Sequence, residues 1–469
     1  MRESILLWSK PWTGLEVATL ARGGVAHLDP TLAGALDASA AELAASPSWD
    51  VVGDLARWLG ATGPVGARDF VEAHVTSVGA PLTEEEVRAT LAVRAHALSR
   101  GASGVRAANV AGWLAGLDAP WRVPIPREGS LGSAGCPILA GIARVLFGWS
   151  GVPGSLPEPT PKEALAALNG SSHATALAVL AVDGARTVLA AAEAAAALSF
   201  EAQRADFGCI DPRAYARGGA PGAGALAMRL RGALRGSGLA GVGRVPDPFS
   251  IRCAPIVQGA ADDVLGNVSS VVDRELASPA DNPLWIDGEW IFAGLHHGAA
   301  VGGAMDALKV ALVHVAGISE RRTYRLTYGG LSGLPSFLVA DGGLQSGLML
   351  AQYTAASLLG DARGLSMPAS VDGLPTAQHH EDHAPNAARA ARTARDVVDR
   401  VADIVTIELM CAAQAIDLRL ANGDGFLAEG TKVIYDRVRA VVARWDHDRV
   451  LHDDLVALGC AVRQGQFAI

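Results

Sequence analysis

Apolar residues recur at helical spacing through most of the chain beyond its first third. From about Pro161 the text becomes Ala- and Leu-rich, and 163–201 repeats its apolar positions with a period near 3.6, broken mainly at Asn169-Gly170 and Gly184. The same pattern predicts long helices over 257–277, 299–325, 347–363 and 383–421. At roughly 1.5 Å per residue these would run about 30 to 60 Å, which implies an elongated antiparallel bundle. The first 120 residues are instead a mosaic of short helical patterns, with Ser99-Arg100-Gly101-Ala102-Ser103-Gly104 as a turn-rich joint. Residues 123–135 are loop-like. The Gly-, Ala- and Arg-rich stretch 204–245 predicts a mobile surface excursion centred on Gly218-Gly219-Ala220-Pro221-Gly222. No internal repeat or linker is visible, so the expected organisation is a mixed N-terminal region, 1–122, followed by one continuous helical unit, 123–469.

Composition narrows the class. Half of the 469 residues are apolar and few are aromatic, which suits a large, mainly α core. A net charge of −9 argues against a nucleic-acid partner or an anionic membrane surface. The five cysteines form no CxxC pair, and Met1 to Lys10 lacks a signal-peptide pattern. The apolar stretch 177–198 is interrupted by Asp183, Arg186 and Glu193, so it reads as a buried helix and not a membrane span. A cytoplasmic protein with reduced thiols is expected, and the Ala/Gly/Arg bias suits a high-GC bacterial source.

Seven short motifs stand in a fixed order. They are Asn169-Gly170-Ser171, Asp247 to Cys253, Asp281-Asn282-Pro283-Leu284, Ser319-Glu320-Arg321-Arg322, Gly333 to Leu338, Ser366-Met367-Pro368 through Thr376, and Glu381-Asp382-His383. Upstream lies the loop Gly129-Ser130-Leu131-Gly132-Ser133-Ala134-Gly135. From about residue 70 to 420 the chain resembles the aromatic amino acid lyase family, the histidine and phenylalanine ammonia-lyases. The resemblance implies a mainly α fold, a long antiparallel helical bundle of the ammonia-lyase (fumarase/aspartase-like) type with a smaller mixed N-terminal part. It also implies a homotetramer whose active sites draw on three subunits.

In that family an Ala-Ser-Gly triplet cyclises to a methylidene-imidazolone (MIO), the electrophile of deamination. Here the triplet reads Ser133-Ala134-Gly135, and alanine has no β-hydroxyl to eliminate. The family's N-terminal tyrosine loop falls near Trp49 to Asp54 without a tyrosine, and a second family tyrosine is Phe249. Retained from the family are His74, Asn169, Arg252 and Glu381, while family Gly-Gly-Asn-Phe-His has become Ala293-Gly294-Leu295-His296-His297 and Asn-Gln-Glu-Asp-His has become His379 to His383.

These substitutions lead to an expectation of an enzyme without a prosthetic group, not a standard ammonia-lyase. It would perform acid/base elimination, addition, isomerisation or cyclisation of a small carboxylate- or carbonyl-bearing molecule in bacterial specialised metabolism. Glu381, His380 and His74 would move protons, Arg252 would clamp an anionic group by a forked pair, and Asn169 would orient the substrate. Leu295, His296, Phe249, His379, Ser133 and Ala134 would line the pocket. Two alternatives are a catalytically inactive ligand-binding homologue, and a metal-dependent enzyme in which His379 and His383 share a helix face. His297 and His383 match family histidines and suit structural hydrogen bonding. Asp281-Asn282-Pro283 suits a turn fixing the next helix, and Cys253 and Cys411 suit small core positions.

Overall fold

The computed structural model describes all residues except 1–2, 8–9, 47–65, 120, 122, 134–135, 219, 242–245 and 342–343. Helices dominate. The longest are Ser172–Ala202, Ala254–Leu276, Ala299–Thr327, Met349–Leu365 and Ala387–Ala421, close to the ranges that periodicity predicts. The break expected at Asn169-Gly170 is present. Thr160 caps the helix Pro161–Leu168 in a reciprocal box with Glu163, and the chain then turns extended at Asn169 and left-handed at Gly170. Gly184 does not interrupt its helix, because packing overrides the weak local preference.

The expected surface excursion over 204–245 is corrected. The helix Pro221–Ala233 buries Leu226, Ala227 and Leu230, after the short turns Phe207–Ile210 and Pro212–Tyr215. Pro221 in the first turn pre-sets the helical backbone, so a glycine-rich lead-in still starts a helix. Gly219 lies outside the described residues. Strands are few. Ser4–Leu7 pairs in parallel with Val25–Leu28, while Val78–Pro81 with Pro126–Glu128 and Leu284–Ile286 with Glu289–Ile291 are antiparallel. Asp281-Asn282-Pro283 therefore leads into a hairpin and not into a helix.

The chain divides into two compact units, one of 1–183, 268–306 and 368–395, the other of 184–267, 307–367 and 396–469. In the first, Glu84–Leu98 is buried along almost its whole length, including Arg88 and Arg94. Arg94 and Lys162 close on Asp281, all three wholly or almost wholly removed from solvent. In the second, Glu408 on Ala387–Ala421 accepts from Ser199 at 2.6 Å, Ser319 at 2.6 Å and Arg322 at 2.5 Å, tying three helices around one buried carboxylate. Two segments, Pro161–Ala202 and Ala299–Thr327, are long and apolar enough to cross a membrane, but 72% and 50% of their most apolar windows are buried within the fold. Cys411 is a core residue, whereas Cys253 is half-buried, and all five cysteines are free thiols.

Candidate active site

Strand pairing sets the entrance to the motif loop. Val78 stands opposite Glu128 and Pro81 opposite Pro126, which lays the segment after His74 alongside the start of 129–136. His74 closes the helix Ala67–Ala73, and its Nδ1–H donates to the carbonyl of Phe70 at 2.7 Å. A carbonyl can only accept, so Nε2 carries the lone pair and is the nitrogen available as a base.

The loop is pinned from several sides. Ser130 Oγ is 3.1 Å from Cys136 Sγ and accepts from the Gly132 N–H at 3.0 Å. The Cys136 N–H donates to Leu168 at 2.8 Å, which seats the loop against the helix end that presents Asn169. Burial pushes the Cys136 thiol up, so it is a packing group and not a nucleophile. Gly132 and Gly298 are required to be glycines. Both have positive φ, and a methyl at Gly132 would stand 2.5 Å from the Ala388 nitrogen, one at Gly298 2.8 Å from the Gly132 oxygen. The loop, His297-Gly298 and the start of Ala387–Ala421 therefore meet main chain to main chain.

Asn169 is buried, and its side-chain N–H donates to the carbonyl of Asn282, leaving Oδ1 without a partner. Behind it, Lys162 Nζ is 2.6 Å from Asp281 Oδ2, and Arg94 donates to Ala280 at 2.9 Å. Burial alone would raise the Asp281 carboxyl, but Lys162 and Arg94 hold it below its ordinary range. Ser171, wholly buried, donates to Glu275 Oε1 at 2.7 Å, and burial pushes that carboxyl up. His297 Nε2–H donates to the carbonyl of His383 at 2.9 Å, with the two rings stacked 5.5 Å apart. Burial pushes the half-buried His296 down, so its imidazole is neutral near pH 7. Glu381, half-buried, accepts from Thr376 Oγ at 2.8 Å and pairs backbone to backbone with it.

The first unit thus brings the loop, the helix end before Asn169, Gly298 and the segment that follows His74 together, and it also holds Ser133, His296 and Glu381. His379, His380 and Leu295 are exposed in this chain. Arg252 and Phe249 occupy the short helix Phe249–Arg252 of the second unit, the guanidinium 4.6 Å from the ring centroid and without an ion-pair partner among the described residues. Ala134, Gly135 and Trp49 to Asp54 lie outside the described residues. Residues 379–383 are not one helix, since Ala377, Gln378 and His379 all have positive φ. Their expected shared face is therefore corrected. Among the described residues no group of three or more His, Cys, Asp or Glu side chains is placed to hold a metal ion. Sequence reasoning missed Glu275, whose setting Asp273-Arg274-Glu275 looks like a solvated helix face.

Known proteins share this architecture. The model of the family described as "Aromatic amino acid lyase" matches residues 66–440. A histidine ammonia-lyase of Symbiobacterium thermophilum is 39% identical over 421 residues, covering 85% of this chain and 82% of that protein. One from Deinococcus radiodurans is 38% identical over 83% of this chain and 78% of its own length. The crystal structure of histidine ammonia-lyase from Trypanosoma cruzi superposes with a TM-score of 0.89 at 29% identity, covering 99% of this chain and 94% of that one. Tyrosine aminomutase from Streptomyces globisporus gives 0.87 at 27%, covering 100% and 98%.

Likeness on this scale corrects the expectations drawn from position 134, namely an enzyme other than a standard ammonia-lyase, its inactive or metal-dependent alternatives, and the absence of a prosthetic group. Those inferences gave one missing hydroxyl more weight than the agreement of most of the chain with proteins named histidine ammonia-lyase. The local chemistry remains a separate matter: Ser133-Ala134-Gly135 offers no hydroxyl at its middle residue, and the neighbouring Ser130 is held against Cys136. The triplet as it stands does not fit the family's cyclisation. With two-thirds and more of its length matched in sequence and nearly all of it in fold, the chain belongs to the aromatic amino acid lyase family.

Proposed function

We propose that the protein is an ammonia-lyase of the histidine ammonia-lyase type, which breaks the Cα–N bond of an L-amino acid, removes a β-proton, and releases ammonia and an α,β-unsaturated acid. The observation that carries this reading is the 38–39% identity, over more than four-fifths of the chain, to proteins of that name. The residues of this chain suit the parts it requires. Arg252, exposed and without an ion-pair partner among the described residues, presents a forked donor pair for a substrate carboxylate. His74 offers Nε2 as proton acceptor, and Glu381, oriented by Thr376, holds or passes a proton. Asn169 Oδ1 lacks an internal partner and is suited to a substrate N–H. His379, His380, Leu295, Phe249 and His296 would border the substrate, and the neutral His296 suits a polar ring better than the phenylalanine of the family motif.

The test is incubation of the purified full-length protein with L-histidine, L-phenylalanine and L-tyrosine, measuring ammonia and the unsaturated acid by its ultraviolet absorbance. Turnover of L-histidine is the expected result, and no ammonia from any of the three overturns the proposal.

Two further readings belong here. A cytoplasmic location is supported by the five cysteines, all free thiols. A homotetramer is favoured by the helix Met349–Leu365, which buries Ala351, Ala355, Leu359 and Ala362 on one face yet leaves Tyr353 60% and Leu350 55% exposed on another.

A further inference from the structure

Glu275 is assigned no proton or substrate contact, yet it holds Ser171, which stands beside Gly298 where that residue meets the motif loop. Its carboxylate receives the Ser171 hydroxyl at 2.7 Å. Ser171 begins the turn after Asn169-Gly170, and its Oγ has no other acceptor. His297 is fixed at its far edge by the His383 carbonyl, 2.9 Å from Nε2. At the next residue, Gly298, a methyl would stand 2.8 Å from the Gly132 oxygen and 3.0 Å from Ser171 Cβ. One side chain therefore holds Ser171, which follows Asn169-Gly170 and stands beside Gly298 where that residue meets the loop.

Resting on the ammonia-lyase reading, we propose that Glu275 is a positioning residue, which holds the Ser171 turn and the His297-Gly298 segment in register against Gly132-Ser133. The physical basis is that a buried carboxylate is stable only where a donor meets it, so the arrangement that satisfies Glu275 also fixes Ser171 against Gly298. Burial pushes its carboxyl up, and the Ser171 hydroxyl offsets part of that rise.

Hydrogen exchange followed by mass spectrometry on the full-length protein tests this without substrate. In Glu275→Ala, amides of 129–136 and 296–300 should exchange at least about tenfold faster, while 396–421 stays unchanged. Glu275→Gln, which keeps an oxygen for Ser171, should restore part of that protection. If Glu275→Ala does not fold, Ser171→Ala removes one hydroxyl only and should accelerate the same two segments by a smaller factor. Unaltered exchange there, or acceleration spread evenly over the chain, overturns the proposal. In steady-state assays with L-histidine the Gln variant should lower kcat about tenfold with KM within a factor of two, whereas a change in KM alone overturns it. A wild-type protein without turnover would refute the ammonia-lyase reading and leave the exchange result to decide the role of Glu275.

Discussion

His96 stacks on Trp12 at 5.1 Å and accepts that residue's backbone N–H on Nε2, while His173 Nδ1 lies 3.1 Å from Thr90 Oγ. Burial pushes both imidazoles down to about 3. Their folded values lie below the unfolded value near 6.5, so the unfolded chain takes up protons first as pH falls. Stability present above about pH 6.5 is therefore lost progressively toward pH 3, at up to about 1.4 kcal/mol per pH unit for each histidine. Thermal melts from pH 7 to pH 4 should show this decline. A His173→Gln variant should show a shallower slope than the parent, and equal slopes would mean His173 carries none of it. At the catalytic level, His74→Ala removes the proposed proton acceptor while leaving the Phe70 carbonyl to water. A fall in kcat of about a hundredfold or more is expected with L-histidine. His74, Asn169 and Glu381 could be named as candidates from the sequence because their motifs are contiguous. Glu275 was not, since its partner Ser171 is 104 positions away.

At the scale of elements, the Arg94–Asp281–Lys162 cluster joins the helices Glu84–Leu98 and Pro161–Leu168 to the segment that enters the Leu284–Ile286 hairpin. Asp281 is the carboxylate that both buried cations face, so Asp281→Asn leaves Arg94 and Lys162 uncompensated and should destabilise the protein by about 3–5 kcal/mol, read from the urea midpoint. Asn169 leans on Asn282, next to Asp281, so the same variant should also lower turnover. Gly298→Ala forces a methyl against the Gly132 oxygen at positive φ, and should lower the melting temperature and slow turnover together. Long helices were legible because a buried stripe repeats every 3.6 residues. The Pro221–Ala233 helix was not, because glycines mask a short apolar stripe that only packing reveals.

At the scale of the whole molecule, a tetramer predicts that light scattering gives about four times the 48.1 kDa chain mass. The double variant Leu350→Asp, Tyr353→Asp should shift the protein to smaller species, and an unchanged mass would place the interface elsewhere. The sequence by itself determined the helical class, the family and most of the motif residues, because periodicity and contiguous motifs are properties of neighbours along the chain. Its reading of activity from position 134 gave way to likeness across the full length. Only the tertiary structure decided that Gly132 meets Gly298 and Ala388, that Asp281 holds Arg94 and Lys162, and that Glu275 holds Ser171. Each depends on segments distant in sequence meeting away from water, where an unmatched polar group is costly enough to select one arrangement.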